Sequence, residues 1–334
     1  MKHQYKYKID ELVNVGDKKP PCLIQNFLWK ENKVIFLGEY KAGKSVFIQQ
    51  LIFEGSLGEM FLDEFKVMKP LRIAYFQLEG TCYESGRRCR DMKEAVDYLN
   101  ENVLWLYLPG KLKLNKPDTL EKIKEHMGNF KPDIIIIDPL YKAVSGGSLV
   151  DDAVATDLTD NLDLIMDHYR GCALILTHHE HKPKRDYRGR IIDEGAGAIF
   201  GSYVLGAWPD HIIHLRFNRE KENEIKTMLG PKTKIQLRNL ECQVQRSGGV
   251  ERNLMLELKE PRPLYWQKYE DTTQSEQDIL AMVVKKPGSH YAYIIKHTKY
   301  APSTVSKCLR SLVGRKFLIK NKDGGYEFNT KGDE

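Results

Sequence analysis

Lys33-Val34-Ile35-Phe36-Leu37-Gly38-Glu39-Tyr40-Lys41-Ala42-Gly43-Lys44-Ser45 is the stretch whose reading decides the fold. Its last eight residues fit G-x-x-x-x-G-K-[ST], the pattern of a phosphate-binding loop. Gly38 and Gly43 let the backbone turn tightly and come close to a phosphate. The successive backbone N–H groups of Glu39, Tyr40, Lys41 and Ala42 form a nest for anionic oxygens, and the helix that follows adds its positive end. Lys44 is expected to reach the β- and γ-phosphates of ATP, and the Ser45 hydroxyl to sit on Mg²⁺. The flanks agree with the motif. Lys33–Leu37 is a short apolar run of the kind a buried parallel strand needs, and Val46, Phe47, Gln50, Leu51 and Phe53 suit a helix packed on a sheet.

Working outward, Leu71–Leu78 reads as a second strand that ends at Glu79-Gly80. A carboxylate at the C-terminal end of a parallel strand faces the crevice where ligands bind, so Glu79 is the candidate to polarise an attacking water. The third strand is Ile134-Ile135-Ile136-Ile137, closed by Asp138-Pro139-Leu140. An acid after four β-branched residues is a Walker B pattern, and Asp138 is expected to hold the Mg²⁺ shell through water. A fourth strand, Cys172–Leu176, ends at Thr177-His178-His179-Glu180-His181. A polar residue there can contact the γ-phosphate. His178 is the first choice and His179 remains open.

The loop beyond holds Lys182, Lys184, Arg185, Tyr187, Arg188 and Arg190. Cations neutralise phosphates and Tyr187 can stack on a base, a combination suited to single-stranded nucleic acid. Further strands are expected at His211–Leu215, Lys234–Asn239 and Asn253–Leu258, the last closing the sheet.

Length and composition bound the rest. The 334 residues suggest two domains, and 41% hydrophobic residues is ordinary for a globular chain. No apolar run approaches the ~18–20 residues of a membrane span, and the start lacks a signal-peptide core. Six cysteines at positions 22, 82, 89, 172, 242 and 308 form no C-x-x-C pair, so a reducing, cytoplasmic setting is expected. Residues 272–334 carry 11 Lys and Arg against 6 Asp and Glu, which leaves little of the net +6 for the remainder. A basic tail points to a polyanionic partner.

The expected organisation is an N-terminal arm (1–25), a nucleotide-binding domain (26–260), a linker (261–273) and a small domain (274–330). In the last, Ser275-Glu276-Gln277-Asp278 looks like a capping box. Ser289 and Pro302-Ser303 open two further helices. Phe317–Lys322 and Tyr326–Phe328 then pair as a hairpin across Asp323-Gly324-Gly325. Three helices and a hairpin resemble a winged helix-turn-helix, with Lys307, Arg310, Arg315, Lys320 and Lys322 as phosphate contacts. Such modules also dock proteins, and that alternative stays open.

Taken together, the motifs at residues 20–260 resemble the RecA-fold ATPases of the plasmid RepA hexameric helicase type. The resemblance rests on Leu23–Leu28, the phosphate loop, Gln77-Leu78-Glu79 and Ile137-Asp138-Pro139-Leu140 with Gly146-Gly147. Thr177-His178-His179 and Gly197-Ala198 to Ser202 complete it. It implies an α/β fold with a mostly parallel, helix-flanked sheet, assembly into a hexameric ring or filament, and an ATP site at the subunit interface. It also implies a basic finger from the neighbouring subunit, for which Arg238 is the match and Lys234 the second choice. The reading is a DNA-dependent oligomeric ATPase, a replicative-type helicase on single-stranded DNA. The alternatives are an ATP-switched DNA-binding regulator or loader, and an adaptor that docks a replication protein.

Overall fold

Alternating apolar strands and helices build one large sheet in the computed structural model, which describes residues 8–16, 21–92, 101–180, 202–230, 233–244, 251–259, 264–269, 271–315 and 317–329. The chain divides into two units. One comprises Met1–Phe217 with Arg238–Lys268, the other Asn218–Leu237 with Tyr269–Glu334.

The first unit begins with α1 (Ile9–Gly16) and the short strands β1 (Cys22–Ile24) and β2 (Leu28–Trp29). Then come β3 (Lys33–Gly38), α2 (Lys44–Leu57), the pair β4 (Met60–Phe61) and β5 (Phe65–Lys66), β6 (Ile73–Gln77) and α3 (Cys82–Met92). β7 (Val103–Tyr107), α4 (Thr119–Met127), β8 (Ile134–Asp138), α5 (Asp152–His168), β9 (Ala173–His179), α6 (Tyr203–Ala207) and β10 (His211–Phe217) follow. After an excursion through α7 (Arg219–Leu229), the chain returns as β11 (Leu237–Val244), β12 (Arg252–Lys259) and β13 (Tyr265–Lys268).

Nine strands pair in the order β13-β12-β11-β10-β3-β9-β8-β6-β7. From β10 to β7 every pairing is parallel, while β10–β11 and β12–β13 are antiparallel. One strand, β9, separates the phosphate-loop strand from the strand ending in Asp138. This is a RecA-like α/β P-loop fold. Its parallel strands end on a common edge, the position at which such sheets bind ligands.

Each face of the sheet buries its own apolar layer. On one, α2 supplies Phe47, Ile48, Leu51 and Ile52 against Val34, Phe36, Ile134 and Ile136. Aromatic rings thicken this layer: Phe36 and Phe47 lie 4.7 Å apart, and Phe27 and Phe65 lie 5.0 Å apart. On the other, Ile123 of α4 and Leu158, Leu162 and Ile165 of α5 cover Ile35, Leu37, Ile135 and Ile137. Burial on both faces explains why β8 is an uninterrupted isoleucine run rather than an alternating pattern.

Two boundaries differ from the sequence expectation. Residues 22–24, assigned to the arm, form β1, and Leu23 and Ile24 belong to the core. Residues 265–268, assigned to the linker, form β13 at the sheet edge, and the Trp266 side chain is completely buried. Thus β13, not the strand near Asn253–Leu258, closes the sheet. A four-residue strand that follows closely on Pro261 and Pro263 carries too little periodicity to stand out from a connector.

The second unit holds α7, α8 (Gln274–Lys285), α9 (Tyr291–His297), α10 (Pro302–Gly314) and the hairpin β14 (Leu318–Lys320) with β15 (Tyr326–Phe328). Ile279, Leu280, Val283, Ile294, Val305, Leu309, Leu312 and Leu318 are among its buried apolar residues. The capping box is real but sits two residues earlier than the sequence suggests, with Thr273 as N-cap and Glu276 as its partner. α7 was expected in the nucleotide-binding domain. Here Lys221 of α7 bonds Asp271 at 2.9 Å, within the second unit. Among the described residues, no helix is long and apolar enough to cross a membrane.

Because Trp266 is a full-sized core side chain on an edge strand, Trp266→Ala is expected to cost about 3–5 kcal/mol of stability. Urea unfolding followed by circular dichroism reads this directly. An unchanged midpoint would show that β13 is dispensable to the sheet.

Candidate nucleotide site

The phosphate loop is shaped by sterics on both sides. A Cβ at Gly38 would stand 2.8 Å from the Leu215 carbonyl oxygen. Gly43 adopts φ 98°, and a Cβ there would lie 2.5 Å from the Trp266 indole. Lys41, with φ 63°, also takes a left-handed conformation, which helps fold the loop back on itself. α2 begins directly at Lys44, so Lys44 and Ser45 occupy its first turn, where backbone N–H groups lack intrahelical partners. Tyr40 is 75% exposed at the tip.

Lys44 is buried, yet its ammonium is well supplied with acceptors. Nζ donates to the carbonyls of Gly38 at 2.7 Å and Glu39 at 3.1 Å, and lies 3.3 Å from His179 Nδ1. Burial lowers the lysine pKa, against the opposing pull of Asp138, Glu180, Glu79 and Glu39. The loop carbonyls thus hold the charge that phosphate oxygens would take over.

Asp138 ends β8 with both carboxylate oxygens engaged. Tyr75 donates to Oδ2 at 2.8 Å and Thr177 donates to Oδ1. Burial raises its pKa, and the two hydroxyl hydrogen bonds oppose that rise. Neither Tyr75 nor Thr177 was assigned a role beside Asp138 from sequence. Thr177 left a faint signal as the first polar residue after an apolar strand, whereas Tyr75 left none.

The histidine assignment changes. His178 is buried beside Leu37 in the sheet register, on the face away from α2. Side chains alternate along a strand, so His179 projects to the opposite face and meets Lys44. His179, the alternative, therefore stands at the loop in place of His178. Burial and the Lys44 charge lower its pKa.

Glu79 lies just beyond β6, and Tyr141 donates a hydrogen bond to its carboxylate. Its backbone is fixed by Gln77, whose Nε2 donates to the Glu79 carbonyl at 2.8 Å. Gln77 is itself held by Ser85 at 3.0 Å and Trp105 at 2.9 Å, both donating to its Oε1.

Arg238, expected as a finger toward a neighbouring subunit, serves its own chain instead. It is 3% exposed, and its Nε donates to the Ala42 carbonyl at 3.0 Å. Its guanidinium sits 3.9 Å from the Phe217 ring centroid. A buried group bonded beneath its own loop is not placed to reach a neighbour's phosphate. Lys234 is exposed. Trp266 completes the support: its backbone N–H donates to Gln50 Oε1 at 2.6 Å and its carbonyl accepts from Gln50 Nε2 at 2.8 Å.

A charged group next to the loop was also missed. Glu180 lies 2.5 Å from His214 Nδ1 and accepts from Arg216 Nε at 3.1 Å, while Arg216 also bonds Glu241 at 3.1 Å. Burial works to raise the Glu180 pKa, but His214 and Arg216 outweigh it and hold the carboxylate below its ordinary value. Lys182, Lys184, Arg185, Tyr187, Arg188 and Arg190 lie outside the described residues. In the second unit, Lys307 and Arg310 of α10 and Lys320 and Lys322 of the hairpin are exposed, whereas Arg315 pairs with Glu276 at 3.5 Å.

Ser45 in the first helical turn and the buried Asp138 carboxylate are oxygen donors of the type Mg²⁺ prefers, so the residues present fit that ion.

The AAA domain family matches residues 6–185, more than half of the chain. No curated protein matches it. Among similar solved structures is a KaiC-like protein of the hyperthermophilic archaeon Pyrococcus horikoshii. It is 14% identical over 75% of this chain and 96% of that one, with a TM-score of 0.48.

If Arg238 supports the loop in cis, Arg238→Ala should weaken ATP binding about tenfold, the scale of one charge-assisted hydrogen bond. Titration with a fluorescent ATP analogue measures it. Unchanged affinity with a collapsed turnover would instead restore the finger role.

Proposed function

The chain belongs to the AAA domain family, and from that premise we propose that this P-loop ATPase is a DNA-dependent, oligomeric motor of the replicative helicase type. The observation that carries the hydrolytic part is the convergence of Lys44, Asp138, Glu79 and His179 on the edge where the parallel strands end.

Lys44 and the loop N–H groups bind and orient the triphosphate, and the first turn of α2 favours its negative charge. Ser45, with Asp138 through water, would hold Mg²⁺, which supplies positive charge against the phosphate oxygens. Glu79 orients a water for in-line attack on the γ-phosphorus and accepts its proton, while the bond between the γ-phosphorus and the bridging oxygen breaks. His179, adjacent to Lys44, is the group that senses the γ-phosphate. Positioning and charge neutralisation carry the reaction, as phosphoryl transfer generally requires.

The DNA part is supported by the second unit. Helices α8, α9 and α10 followed by the hairpin come in the order that the winged-helix reading calls for, and α10 and β14 carry exposed Lys307, Arg310 and Lys320, with Lys322 in the turn between the strands. Exposed cations on a helix and an adjoining hairpin suit contacts to phosphates. The basic loop at 182–190 adds a sequence-level argument for single strands. A ring or filament would place sites at subunit interfaces. The second reading, an ATP-switched regulator, loader or adaptor, draws on the same unit, because a winged helix also docks duplex DNA or protein.

Steady-state ATP hydrolysis with and without single-stranded DNA, across a salt series, separates the two. A motor is expected to be stimulated by single strands, with stimulation fading as salt rises. Lys44→Ala should lower turnover by about 10²-fold or more, as for other lost electrostatic donors. Hydrolysis indifferent to single strands, with no strand separation, would favour the switch or adaptor.

A further inference from the structure

We propose that Tyr141 is a positioning residue for hydrolysis, its hydroxyl holding the Glu79 carboxylate where that group meets the attacking water. The inference rests on the reading of Glu79 as the water-activating base.

Glu79 is exposed at the end of a strand and has a flexible side chain. A carboxylate of this kind samples many rotamers unless something restrains it. Among the described hydrogen bonds, the one to the Glu79 carboxylate comes from the Tyr141 hydroxyl, on Oε2. The other oxygen, Oε1, is then the one left to face a water.

The phenol is presented by a rigid piece of chain. Tyr141 lies in the 3₁₀ turn Leu140–Ala143, immediately after Asp138-Pro139. Leu140 and Ala143 are wholly buried, and the Leu114 N–H donates to the Ala143 carbonyl at 2.6 Å. Lys113 Nζ donates to the Lys142 carbonyl at 2.8 Å. With both ends of the turn anchored, Tyr141 is turned outward and remains 39% exposed. The strand ends are also tied to each other, since the Leu78 N–H donates to the Asp138 carbonyl at 2.8 Å.

Tyr141 also meets the other side of the site. Its ring centroid lies 5.4 Å from that of His179, which in turn contacts Lys44. One side chain therefore touches both the base and the group beside the phosphate-loop lysine. Burial, and next the bond to Glu79, raise the phenol pKa, so the hydroxyl stays protonated and remains a donor through neutral pH. Tyr141→Phe removes that donor and keeps the ring.

The test uses the full chain with Mg-ATP and single-stranded DNA, comparing wild type, Tyr141→Phe, Glu79→Gln and the double variant. Tyr141→Phe is expected to lower kcat roughly 10- to 100-fold, the scale of a misplaced reacting group, with KM and the Kd of a fluorescent ATP analogue changed by no more than about twofold. Glu79→Gln should be inactive, and the double variant no worse than Glu79→Gln alone, because Tyr141 acts through Glu79. A purely structural role would instead move the Kd, in Tyr141→Phe and in the double variant alike. An unchanged or raised kcat in Tyr141→Phe, with Glu79→Gln inactive, overturns the positioning role and leaves the base assignment standing. An active Glu79→Gln overturns the base assignment itself.

Discussion

The phosphate loop rests on an indole. Trp266 fills the space below Gly43 so closely that a methyl group there would lie 2.5 Å from the ring. Gln50 grips the tryptophan backbone through both ends of its amide, and Arg238 reaches the Ala42 carbonyl from alongside. A glycine-rich turn is entropically loose on its own. Packing it against a buried aromatic ring and a buried guanidinium fixes the nest before any phosphate arrives, so less ordering cost falls on binding. The strands that provide this support lie far downstream in the chain, at the antiparallel end of the sheet.

The second constraint is electrostatic. Lys44 and Asp138 are both buried, and an isolated buried charge is expensive. Each is stabilised by oriented polar groups: loop carbonyls for the lysine, Tyr75 and Thr177 for the aspartate. These partners set orientation as well as energy. The surrounding apolar layers keep the local dielectric low, which strengthens every charge interaction at the strand ends. Glu79 differs in being exposed, and its restraint comes from a single phenol and from the backbone bond made by Gln77. The site therefore joins a rigid phosphate cradle to a carboxylate on a more solvated rim, an arrangement suited to admitting water from one side.

The second unit stands apart in chemistry. Its core is small and mostly aliphatic, and its exposed cations include Lys285 of α8 and Lys296 of α9 as well as those on α10 and the hairpin. The capping box at Thr273 and Glu276 opens α8, while Pro302 starts α10. Arg315 was read as one more phosphate contact, but its pairing with Glu276 gives it an internal role.

The sequence by itself determined the phosphate loop, the strands around it, Asp138 at the end of an isoleucine run, and the helices and hairpin of the basic tail. These are local patterns: glycine spacing, apolar periodicity and capping chemistry each act within a few residues. The tertiary structure alone decided which histidine meets Lys44, because one step along a strand reverses the face and only the sheet register shows which face carries α2. It alone moved Arg238 from an exposed finger to a buried strut, made Trp266 part of the loop rather than of a linker, and joined Tyr75, Thr177 and Tyr141 to the two acids. Each of these depends on which distant strands lie side by side, and no pattern confined to neighbouring residues encodes that pairing.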